Sequence, residues 1–440
     1  MFGLYRAWRG ENKVGFSRVD LEEMPDMEQQ SEAVSVEEVG LEFRPDAMEE
    51  SVADLVRHVL HMPASDLFIS FDESDVGISV RHLGMVRPLT RVSHDIGRRI
   101  INVIKANGDM DLAQRFRPLD GRWVCALPDD EKVDLRVNTI PTMYGEDLCA
   151  RLLRRTAELV DLENLGVHHH GLAELESMLA SPSGLILVTG PTGAGKTTTL
   201  YACIRRLHDG TRKINTIEDP IEYAVPGLHQ SATRPQISLD FPELLRGILR
   251  QSPDVIMIGE IRDPVTAETA VRAANSGQLV LATLHAPIAA AAVDSMLELG
   301  VHPHFLGTSL LGIVTQRLLR TLCPKCRVSG DIGDAPHTFD EVQNWLQPGQ
   351  GQSLHSAPGC DRCYREGYTG QTGVFEILHV TKEIRQLINQ RASTRRIRDK
   401  AAEQGMIDIR RAALLKVADG ITDIEEVVRV VPAELLKPDD

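Results

Sequence analysis

Residues Gly190, Pro191, Thr192, Gly193, Ala194, Gly195, Lys196, Thr197 and Thr198 satisfy the spacing G-x-x-x-x-G-K-[ST]. Glycines at these points let successive backbone N–H groups turn inward around a phosphate. Lys196 has the length to reach β- and γ-oxygens, and Thr197 offers a hydroxyl to Mg2+. An apolar run at 185–188 precedes the loop and TTTLYACIRRL follows it, the strand and helix that such a loop requires. A chance glycine-rich turn would lack both flanks. Phosphoryl transfer also needs carboxylates for the metal and for the attacking water, and in an open parallel sheet these sit where strands end. Three downstream apolar runs end suitably. Residues 255–258 lead into Gly259-Glu260-Ile261-Arg262-Asp263, residues 214–217 into Glu218-Asp219-Pro220-Ile221-Glu222, and residues 279–283 into Leu284-His285. Each end alone also reads as a solvated turn; three of them after one phosphate loop point to a shared site.

A second chemistry is carried by Cys323-Pro-Lys-Cys326 and Cys360-Asp-Arg-Cys363, with 33 residues between the pairs. Two residues between thiolates let each turn aim both sulfurs at one ion, and two turns complete a tetrahedron with no open position. Structural Zn2+ is therefore expected, with a redox dithiol or buried free thiols as the alternatives. Cys125, Cys149 and Cys203 lack such spacing and read as core residues. His168, His169 and His170 read as a solvated interdomain stretch rather than as ligands.

These residues need elements to hold them. The 440-residue chain has 42% hydrophobic and 25% charged residues, ordinary globular values, and its length accommodates about three folded units. No run approaches the ~20 apolar residues of a membrane helix, and MFGLYRAWRG has no signal-peptide core, so a cytoplasmic location is expected. The net charge of −15 is local: between Asp20 and Asp54 stand thirteen acidic residues and one arginine, −12, which leaves −3 for the rest. An acidic linker accounts for this, and without a basic stripe no direct nucleic-acid contact is expected. Ahead of the linker, Phe2, Leu4, Tyr5 and Trp8 stand beside Arg6, Arg9, Lys13 and Arg18. This segment reads either as an amphipathic hook for a partner or membrane, or as a frayed terminus. The pattern then divides into a small mixed α/β domain at 51–160, alternating strands and helices at 161–320, the tetracysteine segment at 321–375 and short amphipathic helices at 376–440. The alternation predicts a mostly parallel sheet with helices on both faces, an α/β fold.

The runs GPTGAGKTTTLYA, TIEDPIEY, LRGILRQSPDVIMIGEIRDPVTAETAVRAANSGQLVLATLHA and the paired C-x-x-C motifs resemble the type II secretion and type IV pilus assembly ATPases, the traffic ATPase family. The resemblance extends from about residue 51 to the C-terminus and is most specific at 184–326. It implies a RecA-like P-loop ATPase domain after a small PAS-like domain, with ATP and Mg2+ as cofactors. It also implies a homohexamer that works on inner-membrane platform proteins and meets the membrane through them. In this family TIEDPIE resembles the Asp box, GEIRD the Walker B motif and ATLHA the His box. The resemblance thus implies Glu222 as the general base that orients water, Glu260 as the Walker B acid on the Mg2+ side and His285 as a γ-phosphate sensor. Arg136 in VDLRVNTIPT and Arg151 in GEDLCARLL match the family's two phosphate-reaching arginines. An arginine supplied from another domain makes hydrolysis depend on closure.

The chain departs from the pattern in having only the acidic linker and basic terminus ahead of residue 51, in ASDLFISFD, and in RHLG at 81–84 where R-x-D-G is usual. Assembly and secretion motors resemble this chain in carrying the cysteine pairs, whereas retraction motors typically lack them. The expected function is ATP hydrolysis that powers pseudopilus or pilus assembly. A DNA-handling ring is opposed by the acidic balance, and a non-hydrolysing scaffold by Glu222, Glu260, Arg136 and Arg151.

Overall fold

The computed structural model describes residues 41–126, 132–154, 160–333 and 337–436. The basic aromatic start and residues 20–40 of the acidic linker lie outside them. Two units are present, the first ending at Ala157 and the second beginning at Glu158.

The first unit runs α1 (Met48–His61), β1 (Ala64–Phe71), β2 (Val76–His82), β3 (Met85–Val92), α2 (His94–Asn107), β4 (Leu119–Ala126), β5 (Lys132–Pro141) and β6 (Glu146–Arg154). Helix α1 starts three residues before Ser51, the expected start of the domain, whose hydroxyl donates to the Ala47 carbonyl and accepts from the Arg44 amide. The strands form an antiparallel sheet in the order β3-β2-β1-β6-β5-β4. Alternation assigns its faces. Leu67, Ile69, Ile78, Val80, Leu135, Val137, Leu148 and Ala150 pack with Val52, Leu55, Val56 and Val59 of α1 and Ile100 and Ile104 of α2. Helix α2 crosses so close to β2 that a Cβ on Gly97 would lie 2.7 Å from Val76, which leaves no room for a larger residue. The other face is polar. Directly opposed residues share a face, and the register puts Arg81, Asp66, Arg151, Arg136 and Arg122 in one row across β2, β1, β6, β5 and β4.

The second unit continues α3 (His169–Leu179), β7 (Gly184–Thr189), α4 (Lys196–Leu207), β8 (Ile214–Glu218), β9 (His229–Ala232), α5 (Phe241–Leu249), β10 (Val255–Ile258), α6 (Pro264–Asn275) and β11 (Leu279–Leu284). It then runs α7 (Ala289–Glu298), α8 (Pro303–Ser309), β12 (Leu310–Leu322), β13 (Val328–Asp331), β14 (Ser353–Ser356), β15 (Tyr368–His379), α9 (Lys382–Asn389), α10 (Thr394–Glu403), α11 (Ile409–Ala418) and α12 (Ile424–Val430). Seven strands order as β15-β12-β7-β11-β10-β8-β9, parallel except for the β12–β15 pair. Strands β7, β8, β10 and β11 are buried along their whole length, as helices on both faces demand. Leu185, Leu187, Ile256, Ile258, Val280 and Ala282 face α6, α7, α9 and α10. Ile186, Val188, Met257 and Leu281 face α3 and α4.

The boundaries expected at 320/321 and 375/376 fall inside β12 and β15. These two strands pair over their length, so the tetracysteine segment is an excursion from a hairpin of the main sheet. Phe339 and Val342 of that excursion pack on Ala412, Ala413 and Leu415 of α11. Fully buried Glu376 on β15 accepts hydrogen bonds from the amides of Ala289 at 2.7 Å and Ile409 at 3.3 Å, the first residues of α7 and α11. Burial pushes its carboxyl up to about 7.

Candidate active site

Parallel strands deliver their ends to one edge, so the loops after β7, β8, β10 and β11 meet there. The loop after β7 bends through Gly190, Gly193 and Gly195, with φ of +141°, +76° and +83°. Gly190 is doubly constrained, because a Cβ there would also sit 2.4 Å from the Gln316 carbonyl oxygen. Pro191, Thr192 and Gly193 are exposed, and Gly195 occupies the N-cap of α4, whose first residue is Lys196. The free amides of that helix start and its dipole favour an anion. Lys196 Nζ lies folded across the loop, donating to the carbonyls of Gly190 at 2.9 Å and Pro191 at 3.1 Å. Burial lowers its pKa and Glu260 opposes that shift.

Glu260 follows β10, two strands from the phosphate loop, with β11 between them. Its carboxylate contacts Arg262 at 2.5 Å and His285 Nε2 at 2.9 Å. Burial disfavours the charged form, but Arg262, His285 and Lys196 outweigh it and hold the carboxyl below its ordinary range. The backbone beneath is tied by Thr283 Oγ1 donating to the Gly259 carbonyl at 2.5 Å and by the Gly259 amide donating to Ile217 at 2.7 Å. Lys196, Glu260 and His285 are thus brought into one electrostatic cluster. Glu222 is half-buried beside Tyr201 and Tyr223, whose hydroxyl pKa values it helps to raise after burial. Arg136 and Arg151 lie opposite each other on β5 and β6 in the first unit.

Two residues of this edge escaped the sequence reading. Glu218, expected with Asp219 and Glu222 as an acid leaving the strand, is instead buried, accepting from Tyr201 Oη and Thr216 Oγ1 at 2.5 Å and from Gln230 Nε2 at 3.1 Å. It anchors α4 to the end of β8. It is the last residue of β8, a strand buried along its whole length, rather than the first residue beyond it. Gln316, buried on β12, donates to the Ala194 carbonyl at 2.6 Å and so braces the loop from 122 residues away. Thr315 and Arg317 flank it, so nothing in its sequence neighbourhood set it apart.

At the far end of β12, the four cysteine sulfurs lie within 4.8 Å of one another, with Cys323–Cys360, Cys326–Cys363 and Cys360–Cys363 at 3.9, 3.8 and 3.7 Å. Four thiolates about 2.3 Å from a tetrahedral Zn2+ are separated by about 3.8 Å, so the set fits that ion. Cys363 Sγ also accepts from the amides of Cys360 at 3.1 Å and Gly367 at 3.3 Å, which neutralises part of a thiolate's charge. Of the other cysteines, Cys125 and Cys203 are buried as expected, whereas Cys149 is only half-buried because strand alternation turns it to the polar face of its sheet. His168 departs from the solvated reading as well. It is the N-cap of α3, and burial drives it down to about 4.

A family model described as type II/IV secretion system protein matches residues 44–429. The chain belongs to this family. It is 40% identical over 371 residues to type II secretion system protein E of Dickeya dadantii (strain 3937), covering 84% of this chain and 73% of that one. It is 37% identical over 388 residues to the type IV pilus assembly ATPase PilB of Thermus thermophilus, covering 88% of this chain and 43% of that one. Among solved structures, the X-ray structure of the Legionella pneumophila ATPase DotB superposes with a TM-score of 0.65 at 20% identity, covering 89% of this chain and 96% of that chain, which supports the fold. This family member is an ATPase that uses ATP and Mg2+, with the tetracysteine group suited to Zn2+. Among the described residues no helix is long and apolar enough to cross a membrane.

Proposed function

We propose that this family member is a cytoplasmic, homohexameric motor, recruited to the inner face of the membrane, that hydrolyses ATP to drive pseudopilus or pilus assembly on a membrane platform. The observation that carries the proposal is the cluster of Lys196, Glu260 and His285 at the carboxyl edge of the parallel sheet. Bound ATP would place its phosphates against the amides of the Gly190–Thr197 loop, and Lys196 would turn from the Gly190 and Pro191 carbonyls to the β- and γ-oxygens. Thr197 and Glu260 would hold Mg2+, which neutralises developing phosphate charge. Glu222 orients the attacking water, His285 senses the γ-phosphate, and Arg136 and Arg151 bring positive charge from the first unit.

Three expected results test this. Glu222→Gln should lower turnover by roughly 10² to 10⁴ while ATP stays bound, because an amide cannot accept the water's proton; quench-flow and nucleotide retention separate the two effects, and native turnover removes Glu222 from the base role. Steady-state ATPase activity measured against protein concentration, alongside the mass of the assembly, should rise as the ring forms. Arg136→Ala should lower the rate of the formed ring by roughly 10³ or more, the scale of a lost arginine finger. Turnover independent of assembly would defeat the ring reading.

A further inference from the structure

The polar face of the first unit treats its arginines unequally. Asp134, itself buried, accepts from Arg122 on both carboxylate oxygens, with Nε at 2.9 and 3.0 Å and Nη2 on the second oxygen, although the Arg122 side chain is 66% exposed. Asp66 is equally buried, its side chain 6% exposed, but it divides itself. One oxygen accepts a single bond from Arg151 Nε at 3.0 Å; the other takes the Ser65 hydroxyl at 2.7 Å and lies 3.3 Å from Arg81 Nε. Both arginine side chains remain partly exposed, at 60% and 40%, and Arg81 rests over the Phe68 ring, 5.3 Å from its centroid.

A buried carboxylate with one cation holds it tightly, since departure would strand an unpaired charge away from water. A carboxylate with two can release one. We infer that Asp66 is a positioning residue shared between Arg81 and Arg151, so that Arg151 can leave it for a nucleotide phosphate while Arg81 keeps the buried charge compensated. Arg81 then acts without touching nucleotide. This rests on the reading of Arg151 as a phosphate-reaching residue.

Such an exchange leaves a distinct pattern among variants. Removing Arg81 should make Arg151 the sole partner of Asp66 and retain it there. Removing the charge of Asp66 should then free it again. With the full-length chain, Mg2+ and ATP, Arg81→Ala is expected to lower kcat three- to tenfold with ADP affinity unchanged. The double variant Arg81→Ala, Asp66→Asn should recover to the rate of Asp66→Asn alone. In an Arg151→Ala background, Arg81→Ala should have no further effect. Arg81→Gln, which preserves the contact with Phe68 but not the charge, should reproduce the loss and guards against a folding defect in the alanine variant; thermal melting of each protein is read in parallel. A double variant no faster than Arg81→Ala, or native kcat in both Arg81 variants, overturns the exchange. Native turnover in Arg151→Ala instead overturns the role of Arg151 itself, and the two failures are distinguishable.

Discussion

Lys196→Ala should turn ATP over roughly 10² to 10³ times more slowly than the native chain, the scale associated with losing one preorganised donor to a transition-state oxyanion. The reason lies in how the side chain is stored. Its ammonium donates to the loop carbonyls of Gly190 and Pro191, within the field of Glu260. The loop itself is bent by its glycines and braced by Gln316. Truncation should therefore leave the melting temperature almost unchanged while removing the charge that the phosphates meet. Phosphate-release kinetics and calorimetry on one preparation separate these quantities. Turnover within threefold of native would move the reaction away from this loop.

Cys323→Ser should have the largest structural effect. Cys323 is fully buried directly after β12, and its amide donates to the Gly367 carbonyl at 2.7 Å just before β15. Oxygen is a poorer partner for Zn2+ than thiolate, and binding energy at a closed site of this kind is also folding energy. Elemental analysis should find less than one zinc per chain, hydrogen exchange should accelerate across residues 321–375, and the melting transition should fall by about 10 °C, which corresponds to several kcal/mol. ATPase activity should fall as well, since β12 also carries Gln316 to the phosphate loop. Full metal content in the variant would refute the four-thiolate site.

The nucleotide edge was legible because its logic is local. A glycine-rich loop needs a strand before it and a helix after it, and apolar runs that end in acids announce strand ends. The alternation read at 161–320 likewise became a parallel sheet with helices on both faces. What it missed depends on pairing across long separations. Nothing near Gln316 in the chain says that β12 lies beside β7, and the cysteine spacing says nothing of β15 returning to pair with β12. Asp66 and Arg81 likewise carried no signal singly, because a row across five strands exists only once the register is set. Cys149 and Glu218 show the same limit at shorter range, where residue type suggested one environment and strand parity in the first case, full burial of β8 in the second, imposed another.

Glu376 gives the C-terminal helices a mechanical meaning. Helix α7 leaves the segment just after His285 and α11 belongs to the C-terminal helices, yet both begin on the two oxygens of this one carboxyl. Pulling either helix away would break a hydrogen bond where no water can replace it. The chain after β15 is therefore geared to the His285 segment, and a load applied to one is felt by the other.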